Sequence, residues 1–268
     1  MTTSFKTEDG NVKKVIFVCV ENAGRSQMGW NITGSKQLED AVLRLRLELA
    51  RKIGVHRCMK VVEMGCGQGG FTVCLAKIVG KCGNVFSVDI SERYLADFMG
   101  NLKKWNVESI VSFIHANAAN LEGFVPDESA DMVVSYRFLE ELKNPKDMVR
   151  IVNEMARIVK RRGTVCLIEL STEARNEAEE NYIRLHRESG DSLFEPHEIV
   201  KAMEEAKLKN VHVETFETHV WFSPELAKQD LDFAQVWFTP DVEKTLGPLI
   251  DKYGMKYPEL LVFSGLKK

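Results

Sequence analysis

The stretch Val61-Val62-Glu63-Met64-Gly65-Cys66-Gly67-Gln68-Gly69-Gly70 restricts the fold more than any other part of the chain. A short apolar run ends in an acidic residue and passes through glycines at alternate positions. It then enters a segment where Phe71, Cys74, Leu75 and Ile78 recur at helical spacing. Glycine takes left-handed backbone conformations at no steric cost and lets a ligand touch the main chain where a Cβ would intrude. Strand, glycine turn and helix in that order make an α/β unit whose loop is built to hold something.

The rest of the chain repeats the alternation. An amphipathic helix is expected over residues 35–53, with Leu38, Val42, Leu45, Leu49 and Ile53 on one face and Gly54 closing it. Strands are expected over 84–88, 110–114, 131–135 and 164–170, with helices over 91–102 and 147–160 and a turn at Arg161-Arg162-Gly163. Glu195-Pro196-His197-Glu198 opens a late helix, and strands over 211–218 and 260–266 finish the chain with no long crossover helix between them. An irregular piece with Trp221, Phe222, Trp237 and Phe238 separates those two strands. The pattern specifies a Rossmann-like, doubly wound α/β sheet of about seven strands, mostly parallel with an antiparallel last strand, plus an N-terminal extension. Residues 1–34 read as the extension and 35–268 as the main domain. Ligands of such sheets bind beyond the C-terminal strand ends, where Glu63, Asp89, Asn117, Ser135 and Glu169 fall.

Composition narrows the partners. A net charge of −3 over 268 residues gives no electrostatic case for nucleic acid. Six cysteines without C-x-x-C pairs or metal-ligand spacing read as reduced thiols of a cytoplasmic protein without a metal site. No apolar run approaches the roughly 18 residues that would span a bilayer, so no membrane contact is expected. An exposed strand in the extension would invite pairing across a homodimer.

That extension carries its own motif. Val15 to Val20 reads as a strand, followed by a loop in which Cys19 and Arg25 stand in C-x5-R spacing with Ser26 next. Backbone N–H groups and a guanidinium around a tetrahedral oxyanion would activate the cysteine as a thiolate. Residues 15–28 resemble the P-loop start of low-molecular-weight tyrosine phosphatases and arsenate reductases. The Asp-Pro dipeptide that supplies the general acid in that family is absent from this chain. The resemblance implies either thiol-based phosphatase or arsenate reductase-like chemistry or anion binding at Cys19/Arg25, or a retained strand and lid.

Two ligands fit the central loop. Gly65, Gly67 and Gly70 satisfy the dinucleotide pattern G-x-G-x-x-G, with Asp89 about 20 residues on, which leaves an NAD(P)-dependent oxidoreductase open. From Gln37 onward, however, the chain resembles class I S-adenosylmethionine-dependent methyltransferases. The resemblance rests on Glu63-x-Gly65-x-Gly67-x-Gly69, the Asp89 strand end, Ala116-Asn117-Ala118, the Asp131 strand, the helix running into Gly163, and Val262-Phe263-Ser264-Gly265. It implies transfer of a methyl group from S-adenosyl-L-methionine to a small-molecule acceptor. It further implies that Gly65, Cys66, Gly67 and Gly69 meet the methionine part and that Glu63 fixes the loop. Asp89 would take the ribose hydroxyls, Ile90 would pack on adenine, Asn117 with Ala118 would read its edge, and Ser135 would close the cofactor site. Asn117 stands where the family often has aspartate, and Arg161-Arg162-Gly163 replaces its usual Lys-Pro-Gly-Gly. On the acceptor side the same resemblance points to Tyr136, Arg137 and Glu140, with Trp30 as a candidate aromatic wall. Glu140 and Glu141 suit a solvated helix face equally well. No catalytic base is identified.

Overall fold

A computed structural model of the chain describes residues 5–6, 12–13, 36–142, 144, 146–188, 190–225, 227 and 240–268. Seven strands form one sheet: β1 Lys60–Met64, β2 Asn84–Asp89, β3 Val111–His115, β4 Ala130–Tyr136, β5 Val159–Leu170, β6 Lys209–Phe216 and β7 Leu260–Leu266. Their spatial order is β3-β2-β1-β4-β5-β7-β6, and only β7 runs against its neighbours. β1 lies between β2 and β4, where the winding direction reverses, and that switch point opens a crevice at the C-terminal strand ends.

Val61 to Met64 of β1 are buried on both faces because helices cover both. Val61 joins Val85, Met132 and Val134 under α1 Lys36–Lys52 and α2 Gly70–Val79. Val62 and Met64 join Val88, Val133 and Leu167 under α4 Lys146–Ile158 and α6 Pro196–Glu205. Between α2 and β3, α3 Leu95–Lys104 buries Phe98 and Leu102 on the first face. The start of α6 is fixed as its sequence suggests, by a capping box between Glu195 and Glu198 with Pro196 in the first turn.

Two expectations need correction, and one helix was not anticipated. Arg161-Arg162-Gly163 is not a turn preceding a strand. β5 already pairs at Val159 with Ala130, bulges through a left-handed Arg162, and resumes at Thr164 opposite Met132. α5 Glu177–Glu188 was not legible, since its buried face mixes Tyr182 and Leu185 with Glu179, Asn181 and His186 and so lacks an apolar stripe. The β6–β7 connection holds a helix, α7 Pro240–Tyr253, with Pro248 inside it, and the expectation of no crossover helix there stands. β6 and β7 are antiparallel neighbours, so α7 belongs to an excursion and not to a crossover. Finally, the thiols are not all reduced. Cys58 and Cys82 form a disulfide because folding brings Cα atoms separated by 24 residues to 4.6 Å, a proximity that sequence spacing does not encode.

The extension is described only as a two-residue antiparallel ribbon, Phe5–Lys6 with Val12–Lys13, separate from the main sheet. Cys19, Arg25, Ser26, Trp30, Trp237 and Phe238 lie outside the described residues. Among the described residues no helix is long and apolar enough to cross a membrane.

Leu49 and Met155 are both fully buried, on opposite faces of the sheet. Leu49→Ala and Met155→Ala are each expected to cost about 2–5 kcal/mol. Because the sheet separates them, their double mutant should be additive within about 0.5 kcal/mol in urea unfolding.

Candidate functional site

The glycine loop leaves β1 at the switch point. Gly65, Gly67 and Gly69 have φ of 74°, 48° and 81°, whereas Gly70 already begins α2. Left-handed backbone is therefore required at the alternate glycines, those of the acidic-x-G-x-G-x-G pattern. Two of them are also hemmed in. A Cβ on Gly65 would stand 2.1 Å from the Phe138 ring, and one on Gly69 would stand 2.7 Å from the Phe98 ring.

Glu63 holds this loop from beneath. Its carboxylate accepts hydrogen bonds from the Thr72 hydroxyl of α2 at 2.5 Å and the Ser87 hydroxyl of β2 at 3.2 Å, joining the three elements that flank the loop. Burial pushes the Glu63 carboxyl up to about 7, against the pull of Thr72, Ser87 and Arg46. Thr72 and Ser87 were missed in the sequence, although a hydroxyl inside each apolar run was a visible signal.

Asp89 ties the loop to β2. The backbone N–H of Gly67 donates to Oδ2 and that of Ser91 to Oδ1, both at 2.8 Å. Burial raises the Asp89 carboxyl, with these donors and His115 opposing it. The next residue, Ile90, is 47 % exposed, and its carbonyl contacts His115 Nε2 at 2.8 Å. At the adjoining end of β3, Asn117 is exposed and its Oδ1 accepts the Ala119 N–H at 2.9 Å in an Asx turn, while Ala118 is buried. Asp89, Ile90, Asn117 and Ala118 thus come together on the β2–β3 side of the loop. Cys66 is buried within the loop, and burial pushes its thiol well above the usual range, so it is no nucleophile.

Tyr136, Arg137 and Glu140 lie on the β4 side. Tyr136 stacks on Phe71 at 4.8 Å, with the Arg46 guanidinium 5.3 Å from its ring. Arg137 is left-handed, with φ of 50°, and its guanidinium is enclosed by protein. It donates to Glu140 Oε1 at 2.8 Å, Tyr182 OH at 2.8 Å and His186 Nε2 at 3.1 Å. His186 Nδ1 in turn faces Asp191 Oδ2 at 2.6 Å. Arg137 donating to Nε2 makes that nitrogen an acceptor, so His186 is neutral with its proton on Nδ1, and burial lowers its pKa accordingly. Glu140 is 2 % exposed, which excludes the solvated reading of that residue. Burial, with Glu169 and Asp191 nearby, pushes its carboxyl up against the pull of Arg137. Glu169, at the end of β5, accepts the Leu139 N–H at 3.1 Å, and burial raises it to about 7.

Four buried side-chain atoms around the loop have no hydrogen-bond partner among the described residues: Gln68 Oε1, Ser135 Oγ, Tyr136 OH and Glu140 Oε2. Buried polar groups are normally paired, so this cluster fits a polar ligand lying across the loop toward β4. On the other side an exposed Ile90 beside Asp89 fits a ligand with an apolar ring.

Residues 62–167 match the family model described as a methyltransferase domain. That match runs from β1 through most of β5, and the seven-stranded sheet around it has the Rossmann-like fold of methyltransferases. Demethylmenaquinone methyltransferase of Geobacillus stearothermophilus is 33 % identical over 127 residues, which are 47 % of this chain and 51 % of that protein. The chain thus spans about half the length of the curated relatives it matches first. A cyclopropane-fatty-acyl-phospholipid synthase-like protein from Lactobacillus casei superposes over 87 % of this chain and 94 % of its own, with a TM-score of 0.66 and 17 % identity. Phosphoethanolamine N-methyltransferase 2 of Haemonchus contortus, solved with S-adenosylhomocysteine, superposes over 84 % of this chain and 52 % of its own, with a TM-score of 0.55 and 16 % identity. At such identities the two structures establish a shared fold. The cofactor of the methyltransferase domain family is S-adenosylmethionine.

Glu63 supplies a pH test of the site. Between pH 4.5 and about 7 the folded chain holds the Glu63 proton more tightly than the unfolded chain does, so stability falls as pH rises through that window. Glu63→Gln stays neutral and keeps an acceptor for Thr72 and Ser87. Its stability should fall less steeply than wild type across the window, by on the order of 2–3 kcal/mol in urea melts.

Proposed function

We propose that this chain transfers the methyl group of S-adenosylmethionine to a small-molecule acceptor by direct in-line displacement, using residues 35–268 as the working domain. The observation that carries the reading is the left-handed glycine loop whose Gly67 N–H is bonded to the Asp89 carboxylate. The sulfonium supplies an already activated methyl group, which leaves the protein to bind, align and exclude water.

Each residue then has a physical task. Glu63 keeps the loop against α2 and β2. Gly65, Gly67 and Gly69 let the methionine part lie on bare main chain. Each oxygen of Asp89 already accepts one N–H and retains capacity for a ribose hydroxyl. Ile90 offers an apolar face for adenine, and Asn117 and Ala118 border the same edge. Ser135 and Tyr136 bring unpaired hydroxyls toward the methionine and acceptor side.

For the acceptor we infer a ring of the hydroquinone class. The support is the name of the matched relatives together with the Phe138 ring beside Gly65 and the Tyr136 hydroxyl without a partner among the described residues. Arg137 is engaged by Glu140, Tyr182 and His186, so its part is to set the shape of the acceptor side and not to touch the acceptor.

Two measurements test these statements separately. Calorimetric titration should show S-adenosylhomocysteine binding that weakens about 10- to 100-fold in Asp89→Asn, a loss of roughly 1.4–2.8 kcal/mol. Absence of binding by the wild type would overturn the methyltransferase reading. Formation of S-adenosylhomocysteine with a reduced, prenylated 1,4-naphthoquinone is expected. Turnover with other acceptors but not with this one would sink the hydroquinone assignment alone.

A further inference from the structure

The Cys58–Cys82 bond lies at the opposite end of β1 from the glycine loop, away from the candidate site. Cys58 stands in the loop that enters β1, with a left-handed φ of 68°, and its N–H donates to Val79 O at the end of α2. Cys82 belongs to the single 3-10 turn Gly80–Cys82 that follows α2. The bond therefore joins the start of β1 to the exit of α2, the two elements that hold the glycine loop between their other ends.

Both cysteines are exposed, and each is flanked in sequence by an exposed cation, Arg57 beside Cys58 and Lys81 beside Cys82. One exposed acid, Glu108, belongs to the neighbouring turn. Exposure gives an attacking thiol access, and nearby cations both attract an anionic thiol and stabilise the departing thiolate. The other described cysteines cannot compete. Cys66, Cys74 and Cys166 are buried, and burial pushes the last two up to about 12.

We propose that Cys58–Cys82 is a thiol-exchange site at which an anionic low-molecular-weight thiol opens the bond and loosens the glycine loop from the far end of its supports. The thiolate of the small thiol attacks one cysteine sulfur, the S–S bond breaks, and the other cysteine leaves as a thiolate. A second small thiol attacks the resulting mixed disulfide, releasing the remaining cysteine and a small-molecule disulfide. Two cysteines are thereby reduced and two small thiols oxidised. The link to cofactor affinity rests on the methyltransferase reading; the exchange itself does not.

The test uses the full chain purified without reductant. Six cysteines less the bonded two leave four titratable thiols under denaturing conditions. Native treatment with millimolar glutathione should raise the count to six, lower the melting temperature by roughly 5–10 °C, and weaken S-adenosylhomocysteine binding about threefold to tenfold. The variant Cys58→Ser/Cys82→Ser should melt and bind like the reduced protein and ignore glutathione. Six thiols at the outset, a bond that opens only after denaturation, or opening that leaves both melting and binding unchanged would each overturn the proposal. If the oxidised protein binds no S-adenosylhomocysteine, the cofactor reading fails, and thiol count and melting still decide whether exchange occurs.

Discussion

The carboxylate of Glu63 is the contact on which the candidate site depends. A left-handed run of glycines has no side chains with which to hold its own shape, so its shape must be imposed from outside. Glu63 does this at one end by gathering Thr72 and Ser87, and Asp89 does it in the middle by accepting the Gly67 N–H. The loop is thus suspended between two carboxylates, one beneath it and one beside it. Burying both is unfavourable, as the raised pKa of each records, and hydroxyl and amide donors offset only part of that cost.

The two sides of the loop are built on different principles. On the β2–β3 side, short-range features suffice: an acid at a strand end, an exposed isoleucine, an Asx turn. On the β4 side the surroundings come from far along the chain, with α5 delivering Tyr182 and His186 to Arg137. Tyr182 also packs on Phe222 and Tyr257 of the β6–β7 excursion, and Lys256 reaches back to Glu179 at 2.7 Å. A buried arginine in a left-handed conformation is sustained only because so many partners surround it. The β4 side therefore inherits its shape from segments that a local sequence motif does not contain.

That difference explains what could be read in advance. The loop glycines and the strand-end positions of Glu63 and Asp89 were legible because each is dictated by backbone geometry within a few residues, and strands alternating with helices marked the doubly wound sheet. α5 was not, because its buried face is matched to polar partners and not to an apolar layer. α7 was obscured by Pro248, and the Cys58–Cys82 bond by a separation of 24 residues. The resemblance pointed to Arg137 and Glu140 as acceptor-side residues, and both lie on the β4 side of the loop. Their mutual engagement emerged only once Tyr182 and His186 had positions.

Topology also settles where change can be tolerated. β6 runs parallel to β5, so the excursion after Phe216 leaves the sheet at the same C-terminal end of the strands as the glycine loop and returns there at Leu260, opposite Leu170. An insertion at that point can lengthen or alter its aromatic packing without disturbing the register of β1, β2 or β4. The half of the crevice next to Asp89 has no such freedom, since moving β1 by one residue would turn Glu63 away from Thr72 and place it among Val62's neighbours on the other face. One half of the crevice is consequently fixed by strand register, and the other is free to be shaped by whatever the chain places over the end of β4.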